Sequence, residues 1–216
     1  MLTQLVRDPN RFIEIEQLYD DIVEEAFEYE VELGVVLAAI YFLDNQNKSQ
    51  KALILALRLN DAYDSINNAD ENALAKLYNE IGIIYSDINQ PKKAEEFYLK
   101  AIDIREKLAK DNPDKFNGYL AGSYNNAGNF YADQGNPEKA EEFYLKAIDI
   151  REKLAKDNPP KYIPKLAVSY FNFSIFRKDI KVSEKAFNLA KEYPNHPQCK
   201  LIIEMALKIL SGEISL

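Results

Sequence analysis

The stretch KAEEFYLKAIDIREKLAKDNP occupies residues 93–113 and returns without a change at residues 139–159. Identity over 21 residues at an offset of 46 marks a structural unit used twice. The offset persists outside the identical block. LYNEIGIIYSDINQPKKA (77–94) aligns with SYNNAGNFYADQGNPEKA (123–140), and more faintly with SYFNFSIFRKDIKVSEKA (169–186). Self-similarity with a period of a few tens of residues is the mark of stacked supersecondary units, none of which buries its apolar face alone.

Each unit reads as two helices. In the second, Ala140, Phe143, Tyr144, Ala147, Ile148 and Leu154 fall at helical spacing and form one apolar stripe. Glu141, Glu142, Lys146, Arg151 and Glu152 lie mostly off it, with Glu142 four residues ahead of Lys146, and are expected on a solvated face. Gly135, Asn136 and Pro137 supply a helix stop, a cap and a first-turn proline, and Pro91 occupies the corresponding start one unit earlier. The nine prolines (9, 91, 113, 137, 159, 160, 164, 194 and 197) can all stand at a helix start or just past a helix end, so none is expected to interrupt a helix.

The pattern divides the chain into an N-terminal helical segment (1–69), a first unit (70–113), a second (114–159), a weaker third (160–194) and a closing segment (195–216). The first segment predicts helices near 10–28, 31–44 and 48–66. The last predicts one from about 197 to 211, with Leu201, Ile202, Met205, Ala206 and Ile209 as its stripe, covering the last unit.

Seven glycines in 216 residues suit a chain that is helical nearly throughout. A formal net charge of −8 argues against a dedicated binder of nucleic acid or anionic membrane. Cys199 and His196 are the only residues of their types, too few for an internal disulfide or a zinc site, so both read as structural or solvent residues, with no metal and no cofactor expected. The N-terminal residues lack the apolar run of a signal peptide, and the longest apolar stretch, LGVVLAAIYFL, is too short to span a bilayer; a cytoplasmic protein is expected. No phosphate-cradling glycine loop, zinc-helix motif or nucleophile elbow is present, so no catalytic residues are expected and the chain reads as a non-enzyme.

The chain resembles the tetratricopeptide repeat. That resemblance rests on Tyr78, Ile81, Gly82, Tyr85, Ala94, Tyr98 and Ala101 in the first unit, and on Tyr124, Ala127, Gly128, Tyr131, Ala140, Tyr144 and Ala147 in the second. The third unit offers Tyr170, Phe173, Ser174, Ala186 and Ala190, with Arg177 where Tyr is expected. Ala52 in KSQKALILALRL fits the same pattern, but Ala56 and Leu59 depart from it. The long period is similar to the kinesin-light-chain variety of the repeat. The resemblance implies an all-α, right-handed superhelical array of antiparallel helix pairs, in which the first helices line a concave groove for a protein or peptide partner.

On the family's pattern the groove-facing places fall at Asn79, Glu80, Ile83 and Asp87, then Asn125, Asn126, Asn129 and Asp133, then Phe171, Asn172, Ile175 and Asp179. Five of these twelve are asparagines, whose donor and acceptor can pair with both polar groups of an extended backbone. Asparagine can also cross-link neighbouring helices. The resemblance further implies a basic clamp for a terminal carboxylate, but the matching places hold Asn79, Ile83, Asn126, Val168 and Asn172, without cations. Residues 1–74 carry 15 acidic and 5 basic side chains, a balance of −10, against 20 and 22 in the remainder, +2. The acidic segment reads either as a solubilising cap or as a docking face for a basic partner. The expected function is a peptide-binding adaptor. The alternatives are a self-associating scaffold, for instance a homodimer, and a regulatory subunit docked through the acidic segment.

Overall fold

A computed structural model describes residues 40, 41, 44, 49–63 and 70–215. The helices expected near 10–28 and 31–44 lie wholly or largely outside the described residues. The described chain is α-helical and contains no strand among the described residues. The helices are α1 (Ser49–Tyr63), α2 (Glu71–Asp87), α3 (Pro91–Asp111), α4 (Pro113–Asp133), α5 (Pro137–Asp157), α6 (Pro159–Arg177), α7 (Ile180–Lys191) and α8 (Pro197–Leu210). The chain forms two compact units, Met1–Ile104 and Arg105–Leu216.

In the first unit α1 packs on α2 through buried Ala52, Leu55, Ala56, Leu59 and Tyr63. The start of α3 covers α2, with the Phe97 ring stacked on Tyr85 at 5.6 Å and meeting Tyr78 edge-on. In the second unit α4 packs on α5, α6 on both α5 and α7, and α8 on α7 and α6. This gives two layers, α4, α6 and α8 in one and α5 and α7 in the other.

Local chemistry fixes the turns. Asn112 and Asn158, the penultimate residues of the two identical blocks, each end one helix and start the next. The Asn158 amide donates to the Leu154 carbonyl at 2.9 Å, while its side chain accepts from the Lys161 amide at 3.3 Å. Asn112 does the same toward Leu108 and Lys115. Successive pairs are thus joined by one residue with no loop to spare. Within the pairs, the turns after α2 and α4 contain a left-handed residue, Asn89 (φ 58°) and its counterpart Gly135 (φ 66°).

Pro164 departs from expectation. It lies inside α6, because Asn158 caps that helix and starts it at Pro159. Its missing amide would have bonded the Pro160 carbonyl near the helix start, so the loss falls on the first turns, and the ring is fully buried. The closing helix also differs in detail. Ile202, Ala206 and Ile209 are buried, but Leu201 is exposed and Cys199 takes the inward place.

The larger correction concerns the charged face of the repeat. Arg151 is buried, not solvated. Its Nη1 donates to the Ser169 hydroxyl and, at 2.9 Å, to the Lys165 carbonyl on α6. Ser169 in turn donates to Asn125 Oδ1 at 3.2 Å, tying α4, α5 and α6 together. Beside it, Tyr170 donates to Glu152, and Lys185 of α7 reaches both. The preceding copy repeats the joint. Arg105 bonds Ser123 at 2.6 Å and the Tyr119 carbonyl at 3.2 Å, and Tyr124 bonds Glu106 at 2.5 Å. The Arg-Glu dipeptide of each identical block therefore docks onto a Ser-Tyr dipeptide 18 residues later. Burial pushes the Arg151 guanidinium down to about 10, still charged at neutral pH.

Three expectations follow from these contacts. A Cβ on Gly128 would lie 2.8 Å from the Tyr144 ring, itself buried. Gly128→Ala should destabilise the protein by about 1–3 kcal/mol in urea unfolding; an unchanged midpoint would deny the tight α4–α5 crossing. Ser169→Ala strips a hydrogen bond from a buried cation and should cost about 1–3 kcal/mol by the same assay. The Tyr170 hydrogen bond, aided by Lys185, holds the Glu152 carboxyl below its usual range. A depressed folded-state pKa contributes stability that is present in full above the unfolded value and fades as pH falls through the folded one. Glu152→Gln should accordingly make unfolding less sensitive to pH across the acid range below about 5, read from urea midpoints as a function of pH.

Candidate functional site

The open surface of the second unit is the face of α4 and α6 turned away from α5. On α4 it carries Lys115, Tyr119, Gly122, Asn126, Asn129 and Asp133, all exposed or half-buried. On α6 it carries Lys161, Lys165, Val168, Asn172 and Ile175, with Asp179 just beyond the helix. These sets repeat the helical spacing of 3 and 4 residues that defines one face. In the first unit the corresponding places on α2 are Ala73, Lys76, Glu80, Ile83 and Asp87.

Apart from the three aspartates, the nine residues expected in the groove divide by helical position. Glu80 and Ile83 are half-buried on the open side of α2, as are Asn126 and Asn129 on α4 and Asn172 on α6; Ile175 is exposed. Asn79, Asn125 and Phe171, one place earlier in the repeat, are buried. Phe171 belongs to the apolar core formed with Leu166, Ala186, Cys199 and Ile202. Asn125 is held by Ser169 in the joint described above. One step along a helix turns a side chain by about 100°, enough to carry it from the open face into the packed interior.

The open-face asparagines are themselves unequal. Asn172 Nδ2 donates to Asn129 Oδ1 at 3.2 Å, and the Tyr144 hydroxyl donates to the same oxygen at 2.8 Å. Burial pushes the Tyr144 phenol above its ordinary range, so it remains a neutral donor. Asn129 and Asn172 therefore cross-link α4 and α6 across the face, keeping Nδ2 of the first and Oδ1 of the second open. Asn126 makes no hydrogen bond among the described residues and stands half-buried between Gly122 and Asn129. At Gly122 an added Cβ would meet nothing within 4 Å, so nothing covers the backbone there. Chemically, this strip offers paired donors and acceptors over exposed aliphatic surface from Val168 and Ile175.

Charge is distributed unevenly around it. Away from the open face, lysines and arginines pair with carboxylates: Lys146 with Glu142, Lys153 with Asp149, Arg177 with Glu141 and Lys208 with Glu204. Lys115, Lys161 and Lys165 have no carboxylate partner among the described residues; Lys115 lies over the Phe116 ring, and Lys161 and Lys165 over that of Tyr162. Burial first, then Arg151 and Lys161, hold the Lys165 ammonium below its usual range. Sequence reasoning did not place these lysines in the site. The period of 46 that equates Lys165 with Tyr119 carries the signal for its position.

Among the described residues no group of three or more His, Cys, Asp and Glu could hold a metal ion, and no helix is long and apolar enough to cross a membrane.

Two tetratricopeptide-repeat family models match the chain, over residues 75–108 and 120–161. No curated protein matches it. Among solved structures it is similar to BtubC (BKLC) from P. vanneervenii, at 18% identity and a TM-score of 0.61, covering 94% of this chain and 74% of that one. It is also similar to a kinesin-light-chain-type protein of Podosopora anserina with nearly identical TPR-like repeats, at 14% identity and a TM-score of 0.58, covering 84% and 86%. A third similar structure is the Rap conjugation gene regulator of plasmid pLS20 in complex with the Phr* peptide, at 20% identity and a TM-score of 0.60. That match covers 83% of this chain but spans only about half, 48%, of the regulator. With its 46-residue period and all-helical array, the chain carries tetratricopeptide repeats in the two matched segments, and its long repeat is similar to that of the kinesin-light-chain-type structure.

Proposed function

We propose that the protein is a non-enzymatic adaptor that binds an extended peptide segment on the open face of its first-helix layer. The single observation that carries this reading is Asn126. A side-chain amide in mid-helix, half-buried and without a hydrogen-bond partner among the described residues, is unfavourable for the helix. An extended backbone laid across α4 and α6 would give it one acceptor and one donor, with Asn172 Oδ1 and Asn129 Nδ2 able to continue the ladder. Val168 and Ile175 would take apolar side chains. The likeness to a regulator solved with a peptide supports a peptide ligand for this fold, without naming one for this chain.

A second reading is self-association, favoured by the closing helix, whose Leu201, Leu207 and Leu210 remain exposed. It requires a mass that rises with concentration in sedimentation equilibrium.

The groove reading is tested with peptides selected from a displayed library against the wild-type protein. Asn126→Ala should weaken their binding by about 1–3 kcal/mol, roughly fivefold to a hundredfold in Kd by fluorescence anisotropy. The melting curve should stay in place, because Asn126 bonds nothing within the fold. Asn172→Ala, by contrast, should lower both affinity and stability through the lost bond to Asn129. Binding that survives Asn126→Ala but is lost when Glu24 and Glu25 are changed to Lys would move the docking site to the acidic N-terminal segment.

A further inference from the structure

The open face of the second unit is electrically polar along the helix axes, and its polarity runs against the helices that carry it. Lys115 and Lys161 stand in the first turns of α4 and α6, with Lys165 one turn farther in. Asp133 is the last residue of α4, and Asp179 follows the end of α6. A helix N-terminus already carries partial positive charge and a C-terminus partial negative charge, so cations at the start and acids at the end are both unfavourable. Under the cationic end lies Arg151, buried, bonded to the Lys165 carbonyl, with no carboxylate partner and with Nε unpaired. Three lysines and a buried arginine thus gather at one edge of the strip, none of them in an ion pair among the described residues, and Asp114 is the one acid in the first turn of either helix. Asp133, at the other edge, has no ion-pair partner among the described residues either. Asp179 caps α7 through the Lys181 and Val182 amides but keeps its negative charge. Between the edges lie the neutral asparagines.

From this we infer that the partner segment is an extended strand whose side chains alternate acidic and basic, acids toward the Lys161–Lys165 edge and bases toward the Asp133 edge. The inference rests on the groove reading above and adds the chemistry of the ligand. Asn172 stands seven residues after Lys165, and Asn126 seven before Asp133, about 10 Å along the helix in each case. A backbone gripped at the asparagines therefore leaves each edge one pair of facing side chains away: a ligand Glu meeting Lys165, and a ligand Lys or Arg meeting the shorter Asp133. In an extended chain successive side chains point to opposite sides, so strict alternation satisfies both edges at once. An all-acidic segment would satisfy one edge and be repelled by the other.

The test uses three synthetic peptides of equal length: alternating Glu-Lys, a block isomer with all Glu before all Lys, and an uncharged Ser-Thr control. Fluorescence anisotropy at low salt with the full chain should show the alternating peptide binding about tenfold more tightly than its block isomer. The gap should close as salt screens the edges. Lys161→Glu with Lys165→Glu should abolish the preference, both positions being exposed and the helix content unchanged by circular dichroism. Adding Asp133→Lys should restore it, since an alternating strand shifted by one residue presents its bases to the new acidic edge. Equal affinity for the two isomers, both weakened by Asn126→Ala, would overturn the charge pattern and leave the groove reading standing. Absence of binding by all three peptides at every salt concentration would overturn both.

Discussion

The second unit hangs on a buried arginine. Arg151 reaches out of α5 into α6, satisfies a backbone carbonyl and a serine hydroxyl there, and through that serine holds Asn125 of α4. A guanidinium stripped of water without a carboxylate partner is costly to bury, and hydrogen bonds of fixed geometry are what offset the cost. Such a bond set tolerates little sliding between the helices, so it sets their register more sharply than apolar contact would. Arg105 makes the same two bonds on α4 from the end of α3. This gives a physical reason for two identical 21-residue blocks: each carries the Arg-Glu half of a repeated joint and the Asn that turns the chain into the next helix.

The open face inherits its order from that fastening. Because α4 and α6 are clamped from behind by α5, the Asn172–Asn129 bond can form across the front at 3.2 Å, and Tyr144 can close on Gly128 while its hydroxyl supports Asn129. A surface whose floor is cross-linked in this way loses little conformational freedom on binding, which favours affinity for an unstructured segment that must itself be ordered. The asparagines thus play two roles that composition alone does not separate. Asn125 is consumed by the interior, Asn129 and Asn172 are shared, and Asn126 bonds nothing among the described residues.

Charge tells a parallel story. On α5, α7 and α8 the lysines answer nearby acids, often at i,i+4, as a solvated helix face does. On the front Lys115, Lys161, Lys165 and Asp133 have no ion-pair partner among the described residues and oppose the dipoles of α4 and α6. The same residue types at the same helical spacing therefore stabilise one side of the array and burden the other.

The sequence by itself determined the architecture: the period, the helix pairs, the helix starts at Pro91, Pro137 and Pro197 and the close approach at Gly128, because these follow from apolar spacing, capping residues and residue size acting over a few positions. It misassigned Pro164, since one asparagine five residues upstream decided where α6 begins. What only the tertiary structure decided is which polar side chains are inside. Arg151 reads as solvated because it falls beside the apolar stripe, and its partner Ser169 lies 18 residues away on another helix. Asn125 and Asn126 are adjacent and alike in the sequence, yet a rotation of about 100° puts one in the joint and the other on the open face. Periodicity fixes a side chain's angle on its own helix; whether a neighbouring helix stands at that angle is a property of the packed array.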